Sequence, residues 1–146
     1  MANKENKRIL VIRLSALGDV AMTIPAIYSV AKTYPQHRFY VLTMAFCAKL
    51  FIHVPENITL CLVKDRKAVL EPIKGLKFDA VADLHNVMSS WKIDLRYLLR
   101  GVRVAMLDKK RSERHAITHQ HKYTESKFTA RYFDVFRRLG LPCEPQ

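Results

Sequence analysis

Four consecutive apolar residues, Ile9-Leu10-Val11-Ile12, run directly into Arg13-Leu14-Ser15-Ala16-Leu17-Gly18-Asp19 and then into a repeat with helical spacing. No other feature constrains the fold of this 146-residue chain as tightly. A short apolar run rich in β-branched residues and closed by a Ser/Gly-containing turn is the pattern of a strand buried on both faces of a parallel sheet. Past Asp19, apolar residues recur at Val20, Ile24, Ile27, Val30 and Ala31, which predicts a helix over residues 19–34. Pro25 is read as belonging to its opening turns, where a missing N–H is tolerated.

The same alternation continues along the chain. Residues 39–43, 58–63 and 78–84 read as strands, with a weaker strand at 102–106, and residues 88–100 and 126–139 read as helices. The last helix carries Phe128, Tyr132, Val135, Phe136 and Leu139 on one stripe, with Gly140 just past its end. This stripe and Trp91 are read as core. Strands alternating with helices of this length give an α/β fold, a Rossmann-like parallel sheet with helices on both faces; a mixed α+β domain is the competing arrangement. The length fits one domain, assigned to residues 1–140, and Leu141-Pro142-Cys143-Glu144-Pro145-Gln146 reads as the start of an interdomain linker.

Composition narrows the function. With 49% hydrophobic and 26% charged residues the chain is expected to pack. Its 25 Lys and Arg against 13 Asp and Glu leave a net charge of +12, which favours an anionic partner: a phosphorylated sugar, an acidic membrane surface or nucleic acid. Cys47, Cys61 and Cys143 are odd in number and widely spaced, so neither a disulfide framework nor a zinc site is indicated, and a reducing, cytoplasmic location is expected. The apolar run at residues 9–14 is broken by Arg13 and is too short for a signal-peptide core or a membrane span.

Ligand sites in open α/β sheets gather at the carboxyl ends of strands, which makes the segment 13–19 the first candidate site. Gly18 permits a positive φ or a close backbone approach, Ser15 offers a hydroxyl, and the free N–H groups at a helix start favour an anion. Asp19 is there as a helix cap or as a reactive carboxylate. The spacing is neither GxGxxG nor GxxxxGK[ST], and Thr43, rather than an acidic residue, ends the second strand, so a dinucleotide-binding or P-loop enzyme is disfavoured. Asp83, His85 and Asn86 follow the fourth strand and either face the same cleft or, for Asp83 and Asn86, cap the helix that comes next.

The run Arg13-Leu14-Ser15-Ala16-Leu17-Gly18-Asp19-Val20-Ala21-Met22-Thr23-Ile24-Pro25-Ala26-Ile27 resembles the opening of glycosyltransferase family 9, the ADP-heptose:lipopolysaccharide heptosyltransferases. That family begins with a strand, then S-x-x-G-D, then a helix carrying T-x-P-A. Phe78-Asp79-Ala80-Val81-Ala82-Asp83-Leu84-His85 resembles the family's YDxVxDLH strand, and Leu99-Arg100-Gly101-Val102-Arg103 the segment after it. The resemblance spans about residues 8–140.

It implies the N-terminal, acceptor-binding half of a GT-B fold, with the donor-binding domain outside this chain. The implied reaction transfers a heptose or related sugar, with inversion, from a nucleotide-sugar such as ADP-heptose to a Kdo-lipid A type lipopolysaccharide core precursor. No metal or other cofactor is expected, and the implied place of work is the cytoplasmic face of the inner membrane. Asp19 matches the family's general base, and an inverting transfer needs one such base and no hydrolase-type carboxylate pair. Ser15 matches a loop serine near the reacting centre, and Ala16 stands where some members carry a second serine.

A basic stretch completes the candidate set. Arg100, Arg103, Lys109, Lys110, Arg111, Arg114 and Lys122 are opposed by only Asp108 and Glu113 between residues 100 and 122. They read either as a grip on carboxylates and phosphates of the acceptor or as a solvated loop. His115, His119 and His121 lie in an irregular stretch without a nearby cysteine, which disfavours a metal site. Tyr123 is the one aromatic among these cations, so no nucleic-acid partner is expected. The candidate substrate-binding residues are thus Arg13, Ser15, Gly18, His85, Asn86, Lys109, Lys110, Arg111 and Arg114. The alternative to a transferase is a stand-alone, non-catalytic module that binds anionic glycan, lipid or nucleic acid.

Overall fold

The computed structural model of the chain describes residues 6–108 and 125–144. Five strands, β1 (Arg8–Ile12), β2 (Arg38–Met44), β3 (Ile58–Val63), β4 (Ala80–Asp83) and β5 (Arg103–Met106), form one wholly parallel sheet in the order β3-β2-β1-β4-β5. Among the described residues the helices are α1 (Leu17–Thr33), α2 (Met88–Leu98) and α3 (Glu125–Arg138), with short 3-10 turns at Ala45–Leu50, Arg66–Ala68 and Glu71–Ile73. This is the expected Rossmann-like arrangement: the central strands are buried on both sides, which is why Ile9, Leu10, Val11 and Ile12 are all apolar.

Helices cover both faces. On one, α1 packs against α3, and Phe136 meets Phe39 edge-on at 6.4 Å between ring centroids. On the other, Tyr97 of α2 contacts Phe78 at 5.5 Å, and Phe78 contacts Tyr40 at 5.3 Å. The alternation of Phe39 and Tyr40 between these clusters follows from the two-residue period of a strand. In α3, Tyr132, Val135, Phe136 and Leu139 are core as expected, while the side chain of Phe128 lies outside the described residues.

The structure corrects several boundaries and one burial assignment. Helix α1 starts at Leu17, two residues before the expected start, so Pro25 lies mid-helix rather than in the opening turns. Pro25 and Ala21 are both exposed, so the carbonyl that loses its partner faces water. Strand β4 is shorter than residues 78–84: at its start the Asp79 N–H donates to the Arg8 carbonyl at 2.8 Å, while the Arg8 N–H is taken by the Asp79 side chain, Oδ2, at 2.9 Å. Trp91 is 51% exposed and is not core. The segment read as linker starts inside the packed body: Leu141 is buried, Tyr34 Oη donates to the Pro142 carbonyl at 2.6 Å, and Thr33 Oγ1 lies 3.1 Å from Cys143 Sγ.

Candidate functional site

The strand order reverses between β1 and β4, so the chain leaves the two strands in opposite directions and opens a crevice at their carboxyl ends. The backbone there is pinned from both sides. Leu84 N–H donates to the Ile12 carbonyl at 2.9 Å and Arg13 N–H to the Leu42 carbonyl at 3.1 Å. Leu14 makes four contacts through its carbonyl and amide: Met44 N–H, Thr43 Oγ1 and Cys47 Sγ donate to its oxygen at 3.0, 3.3 and 3.8 Å, and its N–H donates to His85 Nδ1 at 3.2 Å. A ring whose Nδ1 accepts carries its proton on Nε2.

Arg13 is the hub. Its side chain is buried, Nη1 donates to the Leu84 carbonyl at 3.1 Å, and Nη2 lies 3.1 Å from Asp19 Oδ2. Burial pushes the guanidinium below its ordinary value and the nearby Asp19 carboxylate opposes that shift. The Asp19 side chain is 56% exposed, on the first turn of α1. It does not cap the helix: the N-cap is Ala16, which has no side-chain hydrogen bond to offer. The capping alternative therefore gives way to an ion pair that holds a half-exposed carboxylate on the first turn of α1.

Ser15 stands beside this pair, linked to Ala16 by a cis peptide bond, and its Oγ accepts from Arg66 Nη2 at 2.6 Å. Arg66 opens the 3-10 turn after β3, a turn capped by Asp65, whose Oδ1 takes the Lys67 N–H at 2.9 Å. Nothing local in the sequence marks Arg66, which is 51 residues from Ser15. Only the strand order brings the end of β3 near the loop after β1.

Gly18 is helical, without the positive φ that its type permits, and a Cβ built on it would meet nothing within 4 Å. Its lack of a side chain is not required by its neighbours in the fold; it leaves the helix mouth open. Asn86 has a φ of 52°, and its amide is engaged: Nδ2 donates to the Leu107 carbonyl at 2.7 Å and Oδ1 accepts from Trp91 Nε1 at 2.7 Å. Asn86 thus ties the β4–α2 loop to the end of β5. Lys109, Lys110, Arg111, Arg114 and Lys122, with His115, His119 and His121, lie outside the described residues.

Asp83 does not cap α2 either. It is fully buried, and its Oδ1 accepts the His85 and Asn86 N–H groups at 2.9 and 2.8 Å, which folds the loop back over the strand end. Behind it lies Asp94 of α2, also buried. Burial first, and then the hydrogen bond to and charge of Asp83, push the Asp94 carboxyl up to about 9. Burial and the neighbouring Asp83 thus both favour the protonated form of Asp94. The pair supports the site from beneath.

Among the described residues no cluster of three or more His, Cys, Asp or Glu is placed to hold a metal ion, and no helix is long and apolar enough to cross a membrane. No protein-family model and no curated protein matches the sequence. Solved structures do match its fold. A glycosyl transferase of family 9 from Veillonella parvula superposes with a TM-score of 0.64 at 23% identity, over 97% of this chain and 43% of that one. The E. coli heptosyltransferase WaaC with ADP matches at 0.63 and 20% identity, over 95% and 48%. The same enzyme with ADP-2-deoxy-2-fluoro heptose matches at 0.62 and 19%, over 95% and 50%. The chain has the fold seen in these glycosyltransferases and spans about half their length.

Proposed function

We propose that this chain is the acceptor-binding, N-terminal part of an inverting glycosyltransferase of family 9, acting on a lipopolysaccharide core precursor with a nucleotide-sugar such as ADP-heptose. The observation that carries this reading is the half-exposed Asp19 carboxylate held by buried Arg13 where the strand order reverses. A single positioned carboxylate on the acceptor's side meets the need of such a transfer. Asp19 takes the proton from the attacking acceptor hydroxyl while the C–O bond forms at the anomeric carbon, and the nucleoside diphosphate departs on the opposite face.

The remaining residues orient. Arg13 fixes Asp19; Ser15, steadied by Arg66, offers a hydroxyl beside it; the open backbone at Gly18 admits a sugar ring or phosphate close to the helix start. Arg66 and the sequence-near cations Lys109, Lys110, Arg111 and Arg114 supply positive charge for the carboxylates and phosphates of a Kdo-lipid A type acceptor. The donor is held chiefly by a second domain. The work takes place in the cytoplasm, at the inner-membrane surface where a lipid-anchored acceptor resides.

Calorimetric titration of the chain with deacylated Kdo-containing core, and separately with ADP-heptose, at low and high salt, tests the assignment. Salt-sensitive binding of the core with little binding of the nucleotide-sugar is expected. Tight binding of ADP-heptose without binding of the core overturns it.

A further inference from the structure

Helix α2 has two sides of opposite character. Ser90, Ile93, Asp94 and Tyr97 pack inward, while Met88, Trp91, Leu95, Leu98 and Leu99 are between 48% and 79% exposed. At 3.6 residues per turn these five fall within an arc of about 100°. Lys92, Arg96 and Arg100, all exposed, form a row four residues apart along one border of that arc. The helix's one carboxylate, Asp94, is buried.

The apolar surface continues past the helix. Met106 on edge strand β5 is 36% exposed, and an open groove of about 400 Å³ lies between it and α2, bordered by Trp91, Leu95 and Leu98 with Asn86 and Asp94. Its single carboxyl, Asp94, is buried and is pushed toward its neutral form by that burial, so the groove's open surface is apolar. A contiguous apolar patch with a cationic border marks an interaction surface. A second copy of the chain would bring its own row of cations onto this one, in a molecule of net charge +12. A bilayer with anionic headgroups offers the complement to both parts, acyl chains for the stripe and phosphates for the row.

We propose that the outward face of α2 docks in the plane of an anionic lipid bilayer, with Trp91, Leu95, Leu98 and Leu99 at the acyl boundary and Lys92, Arg96 and Arg100 on lipid phosphates. This deepens the surface-bound reading above by naming the face that meets the membrane. Its failure is separable from failure of the transferase reading, since vesicle binding tests one and turnover of an Asp19 variant tests the other.

Trp91 is the chain's single tryptophan, so its emission reports on this face alone. The chain is mixed with vesicles of phosphatidylcholine alone, or of phosphatidylcholine with an equal part of phosphatidylglycerol, and followed by sedimentation, Trp91 emission and acrylamide quenching. The anionic vesicles are expected to sediment the protein, shift the emission to the blue and shield Trp91 from quencher, with weaker effects on neutral vesicles. The triple variant Lys92→Gln, Arg96→Gln, Arg100→Gln, with folding checked by circular dichroism, should lower partition by on the order of a hundredfold, three cations being lost near the surface. Sedimentation with Trp91 emission unchanged would place docking on another surface and overturn the proposal, as would absence of binding to anionic vesicles. Shielding of Trp91 without vesicles that grows with protein concentration would make the occupant a second copy and overturn it equally.

Discussion

Arg13 Nη2 lies 3.1 Å from Asp19 Oδ2 while Nη1 of the same guanidinium donates to the Leu84 carbonyl at 3.1 Å, so one buried side chain joins the end of β1, the first turn of α1 and the end of β4. Asp19 is held by this link alone among the described contacts and does not serve the helix backbone. A carboxylate with that placement contributes little to stability, because its pair is half in water. Its value lies in position.

Asp19→Asn is accordingly expected to leave the melting temperature nearly unchanged and, on the proposed transferase function, to cut sugar transfer by the full-length protein by at least about a hundredfold, the scale of a lost general base. A helix cap would behave in the opposite way, losing about 1 kcal/mol of stability with activity retained. Thermal melting and steady-state kinetics on the same variant separate the two.

Arg13→Met should destabilise the fold by about 1–3 kcal/mol in denaturant titration, since the Leu84 carbonyl then loses a charged donor in a buried place. Arg13→Lys keeps a charge but cannot reach the Leu84 carbonyl and Asp19 with two fixed nitrogens, and should fall between. Equal stability of Arg13→Met and the parent protein would remove Arg13 from its role as hub.

Much of this was legible in the sequence, and the rest was hidden for identifiable reasons. The buried run Ile9–Ile12, the other apolar runs and the helical repeats mark every strand and α-helix among the described residues, because periodicity is a local signal. The start of α1 was obscured because Ala16, an N-cap without a side-chain acceptor, gives no mark, while Asp19 imitates one. Arg66 and the Asp83–Asp94 pair depend on contacts between segments far apart in the chain, and an aspartate in mid-helix looks like a solvated residue until the helix is turned against the sheet. Residue type alone places Trp91 in the core, yet the inward side of α2 is taken by Ser90, Ile93, Asp94 and Tyr97.

Asp94→Asn should flatten the dependence of stability on pH. The folded-state value of Asp94 lies far above that of an unfolded aspartate, so the folded chain retains a proton that the unfolded chain has released. Stability from this group is fully present below the unfolded value near 4 and is lost as pH rises toward about 9, by up to about 1.4 kcal/mol per pH unit. Asparagine can donate to Asp83 without titrating. The variant should therefore match the parent at low pH and exceed it above neutrality in urea titrations run across that window; parallel profiles would show that Asp94 is ionised in the folded chain.

Gly18→Ala separates folding from function most sharply. Gly18 has helical backbone and its added methyl would meet open space, so alanine should stabilise the chain by about 0.5–1 kcal/mol through lower backbone entropy in the unfolded state. If the open backbone serves close approach of the acceptor, the same methyl fills the space that the ligand needs, and core binding should weaken by about tenfold or more, the effect of roughly 1.4 kcal/mol of steric conflict. A variant that melts higher and binds the lipopolysaccharide core less tightly is the expected result. One that melts higher and binds equally well would move the acceptor away from the start of α1, toward the crevice side occupied by Ser15, Arg66 and His85.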